Sequence, residues 1–103
     1  MKKKFVFIGD IDSINLEIVQ KSHKILKNRI QYILLGNIND VYKYLKKIQS
    51  KLDINEIINP LNFQNYNPSS LNLFNIENIS NKKYINLINQ IHICNYLSNI
   101  SKI

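Results

Sequence analysis

The chain has 103 residues, the size of one small domain with a modest core, and its formal charge of +7 raises the question of nucleic-acid binding. The lysines argue against a dedicated interface: Lys2 to Lys4 form one cluster, but Lys21, Lys24, Lys27 and Arg29, and then Lys43, Lys46, Lys47 and Lys51, recur at helical spacing, as on solvated helix faces. No stretch approaches the roughly 20 apolar residues of a membrane span, and the single cysteine, Cys94, forms no internal disulfide, so the cytoplasm is the expected compartment.

Ile, Asn and Lys make up nearly half of the chain, while Ala, Thr and Trp are absent, a bias that looks nucleotide-driven and says little about function. The opening Lys2-Lys3-Lys4 followed by Phe5 to Ile8 resembles a signal peptide only superficially, because Gly9-Asp10 interrupts a short apolar run. That run, Phe5-Val6-Phe7-Ile8, is rich in strand formers and predicts a buried parallel strand.

From Ile14 the residues Ile18, Val19, Ser22, Ile25 and Leu26 fall on one helical face. Asp12 or Ser13 is placed to cap this helix, and Glu17 lies in its first turn. Ile30 to Leu35, running into Gly36 as a turn residue, predicts a second buried strand. Asn39 or Asp40 then caps a second helix with the stripe Val41, Leu45, Ile48 and Leu52, its lysines outward. Ile54 to Ile58 reads as a third strand ending at Asn59-Pro60.

Beyond Pro60 the pattern dissolves into Asn, Ser and Pro, with Leu71, Leu73 and Phe74 as scattered apolar anchors, and residues 60–80 read as a long loop with room for one short strand. Ser80 or Asn81 caps a last helix carrying Tyr84, Leu87, Ile88, Ile91 and Leu97. The expected organisation is therefore one partial α/β domain over 1–103. It comprises a β-α-β-α-β core over 5–59 in an open parallel sheet flanked by helices, the loop over 60–80 and a carboxy-terminal helix over 81–99. A crossover helix normally leads into another parallel strand, so the architecture reads as cut in mid-unit.

The informative motif is Gly9-Asp10-Ile11-Asp12-Ser13-Ile14-Asn15-Leu16-Glu17, between the first strand and the first helix. Ligands of open α/β sheets sit at this edge, near helix amino-termini. On spacing alone, Gly9 permits a tight turn while Asp10, Asp12 and Ser13 compete to cap the helix; Asp10 with Asp12 as ligands to a hard cation is a weaker reading. Neither a dinucleotide fingerprint nor a P-loop is present. His92 and Cys94 lie two apart on a helix and point different ways, so they make no metal site. Cys94 is expected as a small core residue, and His92 and His23 as surface or boundary residues. The tyrosines Tyr32, Tyr42, Tyr44, Tyr66, Tyr84 and Tyr96 are scattered and form no base-stacking platform.

The stretch Phe7-Ile8-Gly9-Asp10 through Glu17 resembles the opening of 4-hydroxythreonine-4-phosphate dehydrogenases, in which a strand runs into Gly-Asp-Pro-Ala-Gly-Ile-Gly-Pro-Glu and then a helix. Gly9, Asp10, Ile14 and Glu17 match that pattern. Ile11, Ser13, Leu16, Ser22 and His23 agree with a variant resembling Gly-Asp-Ile-Asn-Ser-Ile-Gly-Leu-Glu, which continues into a helix with Ser-His. Asn15 stands where the family has its second motif glycine. Beyond Ser22 and His23 the agreement is one of pattern, including Ile33-Leu34-Leu35-Gly36.

The resemblance implies the first part of an isopropylmalate-dehydrogenase-like α/β/α subunit, dimeric, using NAD or NADP and a divalent metal. The reaction implied is oxidation and decarboxylation of 4-phosphooxy-threonine in pyridoxal phosphate synthesis. It makes Gly9, Asp10 and Glu17 a motif loop bordering the active-site cleft. The family's His-Thr pair, metal-binding histidines and Thr-x-Pro-Ile-Asn-Lys segment lie downstream of the matched region, and this chain contains none of them. No cofactor or metal is therefore expected for this chain alone. A truncated or split enzyme is expected, its partner being the missing downstream portion or a second copy. The alternatives are a remnant and a small basic α/β module engaging an acidic partner or nucleic acid.

Overall fold

The computed structural model describes residues 2–9, 14–61 and 65–101. In chain order these form β1 (Lys2–Phe7), α1 (Ile14–Leu26), β2 (Ile30–Gly36), α2 (Ile38–Lys47), β3 (Ile54–Glu56), β4 (Leu71–Asn75) and α3 (Lys83–Ser101). The four strands make one all-parallel open sheet in the order β1-β2-β4-β3, so the α/β class expected from the sequence is what forms. Among the described residues no helix is long and apolar enough to cross a membrane.

Strand β2 is the centre of the core because alternate residues serve opposite faces. Tyr32 and Leu34 join Leu71, Leu73, Val41 and Leu45 on one face, with Val19 and Leu26 of α1 packed alongside. Ile33 and Leu35 join Ile57, Ile76 and Leu97 on the other, with Ile93 and Cys94 of α3. Helices α1 and α2 thus cover one side of the sheet and α3 the other.

The short strand that the 60–80 loop left room for is β4, and the departure from the expected organisation is its position: it pairs with β2 on one side and β3 on the other, so β2 and β3 are not neighbours, and its "scattered anchors" Leu71 and Leu73 are wholly buried. Asn72 between them is 1% exposed, and every bond its amide can make is made. Its Oδ1 accepts from Asn55 Nδ2 (2.8 Å) and Asn67 N (2.8 Å), and its Nδ2 donates to Asn67 O (2.8 Å) and Ser70 O (3.2 Å). A buried amide is tolerated when fully bonded, and this one clamps residues 65–70 onto the sheet. An Asn in the middle of an apolar triplet masks the strand pattern.

Helix faces and ends also differ from expectation. In α1 the inward residues are Val19, His23 and Leu26, while Ile18 and Ile25 are 51% and 62% exposed. The stripe is rotated because His23 reaches under the helix to Tyr32. In α2 the cap is Asn37 rather than Asn39 or Asp40: its Oδ1 accepts from Asn39 N (3.1 Å) and Asp40 N (3.2 Å).

That helix ends at Lys47 with Gln49 at φ 55°, and the bonds Gln49 N to Lys46 O (3.1 Å) and Ser50 N to Leu45 O (2.9 Å) form a Schellman closure. Ile48 is left exposed, and Leu52 packs on the core from the following loop. In α3 the inward residues are Asn86, Gln90, Ile93, Cys94 and Leu97, whereas Tyr84, Ile88 and Ile91 face out. Residues 84–101 carry no Asp, Glu, Lys or Arg, so periodicity alone does not orient this helix.

Candidate functional site at the carboxyl edge of the sheet

Strands β2 and β4 are neighbours, yet the helices that follow them lie on opposite faces: α2 leads on to β3, while α3 runs back over β1 and β2. The crevice outside the carboxyl ends of β2 and β4 is therefore a topological switch point, where open α/β sheets hold ligands. Two adjoining clefts open there. One, of about 320 Å³, is lined by Asn37, Asp40, Lys43, Asn75 and Glu77 among others. The second, of about 370 Å³, shares Asp40 and Asn78 with it and extends to Gly9, Asn81, Asn86 and Gln90.

Carboxamides build this edge. Asn75 at the end of β4 accepts from Ile38 N through Oδ1 (2.9 Å), and Asn37 caps the next two amides. The first-turn N–H groups of α2 that would otherwise face an anion are thus already engaged. Asn37 Nδ2 also donates to Ile76 O (3.2 Å), which ties the strand end of β4 to the helix cap. Gly36 ends β2 against Ile8: a Cβ there would stand 2.9 Å from Ile8 Cδ1 and 3.4 Å from Ile8 Cβ. A larger residue there would push the end of the Ile8 side chain aside, a close-packing role different from the turn expected of Gly36. Gly9 sits at φ 74°, a conformation that favours glycine; the residues that would complete the expected turn lie outside the described ones.

On α3, Asn86 is buried and satisfied. Its Oδ1 accepts from Ile79 N (2.8 Å) and Ser80 N (3.0 Å), and its Nδ2 donates to Ser80 O (2.8 Å). Gln90, one turn further and 4% exposed, has no hydrogen-bond donor for Oε1 among the described residues. Such an acceptor costs roughly 1–3 kcal/mol when nothing meets it.

Of the motif residues, Gly9 lines the cleft, whereas Glu17 does not: half-buried on α1, its Oε1 accepts from Lys21 Nζ at 2.8 Å in a surface pair. Asp10, and with it the Asp10–Asp12 cation pair and the Asp12 or Ser13 cap, lies outside the described residues. His92 is exposed, as expected, and borders a small apolar groove with Ile79, Ile85 and Ile88. Cys94 packs half-buried against the second core cluster, and burial pushes its thiol pKa up. Among the described residues no group of three or more His, Cys, Asp or Glu converges as a metal site would.

His23, expected at the surface or at a boundary, is instead 3% exposed. Its Nε2 lies 3.1 Å from Pro68 O, which can only accept, so Nε2 carries the proton and Nδ1 accepts from Tyr32 Oη at 2.5 Å. Burial lowers the His23 pKa and raises that of Tyr32. Together with Tyr66, whose Oη accepts from Tyr32 N at 3.4 Å, this cluster pins the 65–70 segment at the opposite edge of the sheet from the clefts.

Sequence reasoning missed Asn37, Asn75, Asn86 and Gln90. In a chain so rich in Asn the residue type carries no signal, and the available hint was the i, i+4 pairing of Asn86 with Gln90 inside an apolar helix. Comparison of the chain with known protein families, with curated proteins and with solved structures finds no match.

Proposed function

We propose that the chain is the amino-terminal α/β unit of a truncated or split enzyme of the 4-hydroxythreonine-4-phosphate dehydrogenase type and is not catalytic alone. The observation that carries the reading is the position of Gly9. The motif loop leaves the carboxyl end of β1 through a left-handed glycine that lines a polar cleft beside the switch point of an all-parallel sheet. The β-α-β-α order around it is the one the resemblance implies.

The reaction so assigned is oxidation of 4-phosphooxy-threonine with decarboxylation, for which NAD or NADP, when bound, would supply the hydride acceptor. This chain's share is binding and orientation: amides from Asn78, Asn81 and Asn86 and the Asp40 carboxylate form one wall of the cleft. The metal and the substrate phosphate are assigned to groups outside the described residues.

The test is a dehydrogenase assay with 4-phosphooxy-threonine, NAD and magnesium, run on the purified chain and on complexes it captures from lysate of its source. Turnover only from a captured complex is the expected result. Turnover by the chain alone would overturn the claim that it is incomplete, and none from either would overturn the dehydrogenase reading.

A second reading, a basic module engaging an acidic partner, draws on a cleft of about 400 Å³ bordered by Lys21, Lys24 and Lys51. It predicts binding to polyglutamate that falls steeply with salt.

A further inference from the structure

We propose that the cleft between Gly9 and α3 binds the vicinal diol of a small polyhydroxylated molecule, with acceptors from Gln90 and Asp40. The inference needs only this chain and stands whether or not the dehydrogenase reading does. It starts from an inequality between two amides one turn apart on the same face of α3. Asn86 has three protein hydrogen bonds. Gln90 is equally sequestered, lines the same cleft and has an Oε1 with no donor among the described residues. A buried acceptor bordering a cleft of about 370 Å³, within the usual size range of small-molecule sites, calls for a ligand that donates.

The rest of the wall selects the donor. Asp40 adds a second acceptor, and the carboxamides of Asn78 and Asn81 offer both donors and acceptors. An ammonium ligand would meet Lys83 on the same wall and Lys43 beside it; an anion would meet Asp40 and, in the adjoining cleft, Glu77. Neutral hydroxyls, which donate to Gln90 and Asp40 while accepting from asparagine amides, complement all of these groups. Two adjacent hydroxyls would supply one donor to each of the two acceptors.

The test follows the side-chain amide resonances of Gln90 and Asn86 in the full ¹⁵N-labelled chain during titration with ribose, ribose 5-phosphate, adenosine and 2′-deoxyadenosine. The expected result is saturable movement of the Gln90 resonance with ribose or adenosine, and binding of 2′-deoxyadenosine weakened by about tenfold or more. Response to ribose assigns the diol to a free sugar, tighter binding of ribose 5-phosphate to a sugar phosphate, and response to adenosine alone to a nucleoside. Gln90→Leu is expected to unfold at a midpoint no lower than the parent and to lose binding; Asp40→Asn, which keeps the shape of the side chain, is expected to weaken it. The proposal is overturned if no probe moves the resonance, if the deoxynucleoside binds as well as adenosine, or if both variants bind like the parent.

Discussion

His23 shows how one side chain couples three segments. Its neutral ring donates to Pro68 O and accepts from Tyr32 Oη, joining α1, β2 and the loop before β4. Protonation would place a second N–H against Tyr32 and a charge inside the fold. The His23 pKa is held below 6.5, first by burial and also by Lys27. The unfolded chain therefore takes up a proton more readily than the folded one as pH falls, so the stability contributed by neutral His23 is complete above about 6.5 and is lost as pH falls through the folded pKa. Urea midpoints measured from pH 7.5 down to 5 should decline over that window, and His23→Gln should remove most of the decline. A parent midpoint flat across the window would refute the assignment.

At the scale of elements, the two ends of α2 carry opposite expectations. Asn37 satisfies two helix amides and bonds Ile76 O, so Asn37→Ala should cost about 1–2 kcal/mol. Asn37→Asp, which keeps the acceptor but not the donor, should fall between. Gln49 closes the other end at φ 55°, where a side chain is strained, and Gln49→Gly should gain about 0.5–1 kcal/mol. Both follow from denaturant unfolding, and a Gln49→Gly chain less stable than the parent would show that the Gln49 side chain makes a compensating contact. Helix α3 is bounded differently, with Asn86 reaching back from its first turns to the amides of Ile79 and Ser80. That bond was not readable from the Ser80 or Asn81 cap expected there.

Across the whole molecule the charge of +7 is spread over the exposed faces of α1 and α2 and the start of edge strand β1, where Lys3 and Lys4 also discourage strand addition. Lys21–Glu17 is a surface ion pair of the kind that adds little. Self-repulsion should then dominate the salt response. Raising ionic strength from about 0.01 to about 0.15 M shortens the screening length from about 30 to about 8 Å, and the thermal midpoint should rise over that range. A fall would mean that attractive pairs outweigh the net charge.

Local physics made the class of this fold legible. The apolar runs ending at Ile8 and Leu35 read as buried strands and form β1 and β2, of which β2 is buried and β1 is a half-buried edge strand; the lysine-striped segments between strands form the amphipathic helices; and Gly9 takes the φ of 74° that its residue type favours. What the sequence could not determine were the features built from long-range hydrogen bonds. Strand β4 holds Asn72 between Leu71 and Leu73 because Asn55 of β3, seventeen residues away, meets its amide alongside the nearer Asn67 and Ser70. His23 is buried because Tyr32 and Pro68 receive it, and the clefts exist because β4 inserts between β2 and β3 and sends α3 back across the other face. Propensity and periodicity are properties of neighbours in the chain, whereas an amide or imidazole is worth burying only once its partners are in place, and those partners were chosen by the tertiary structure.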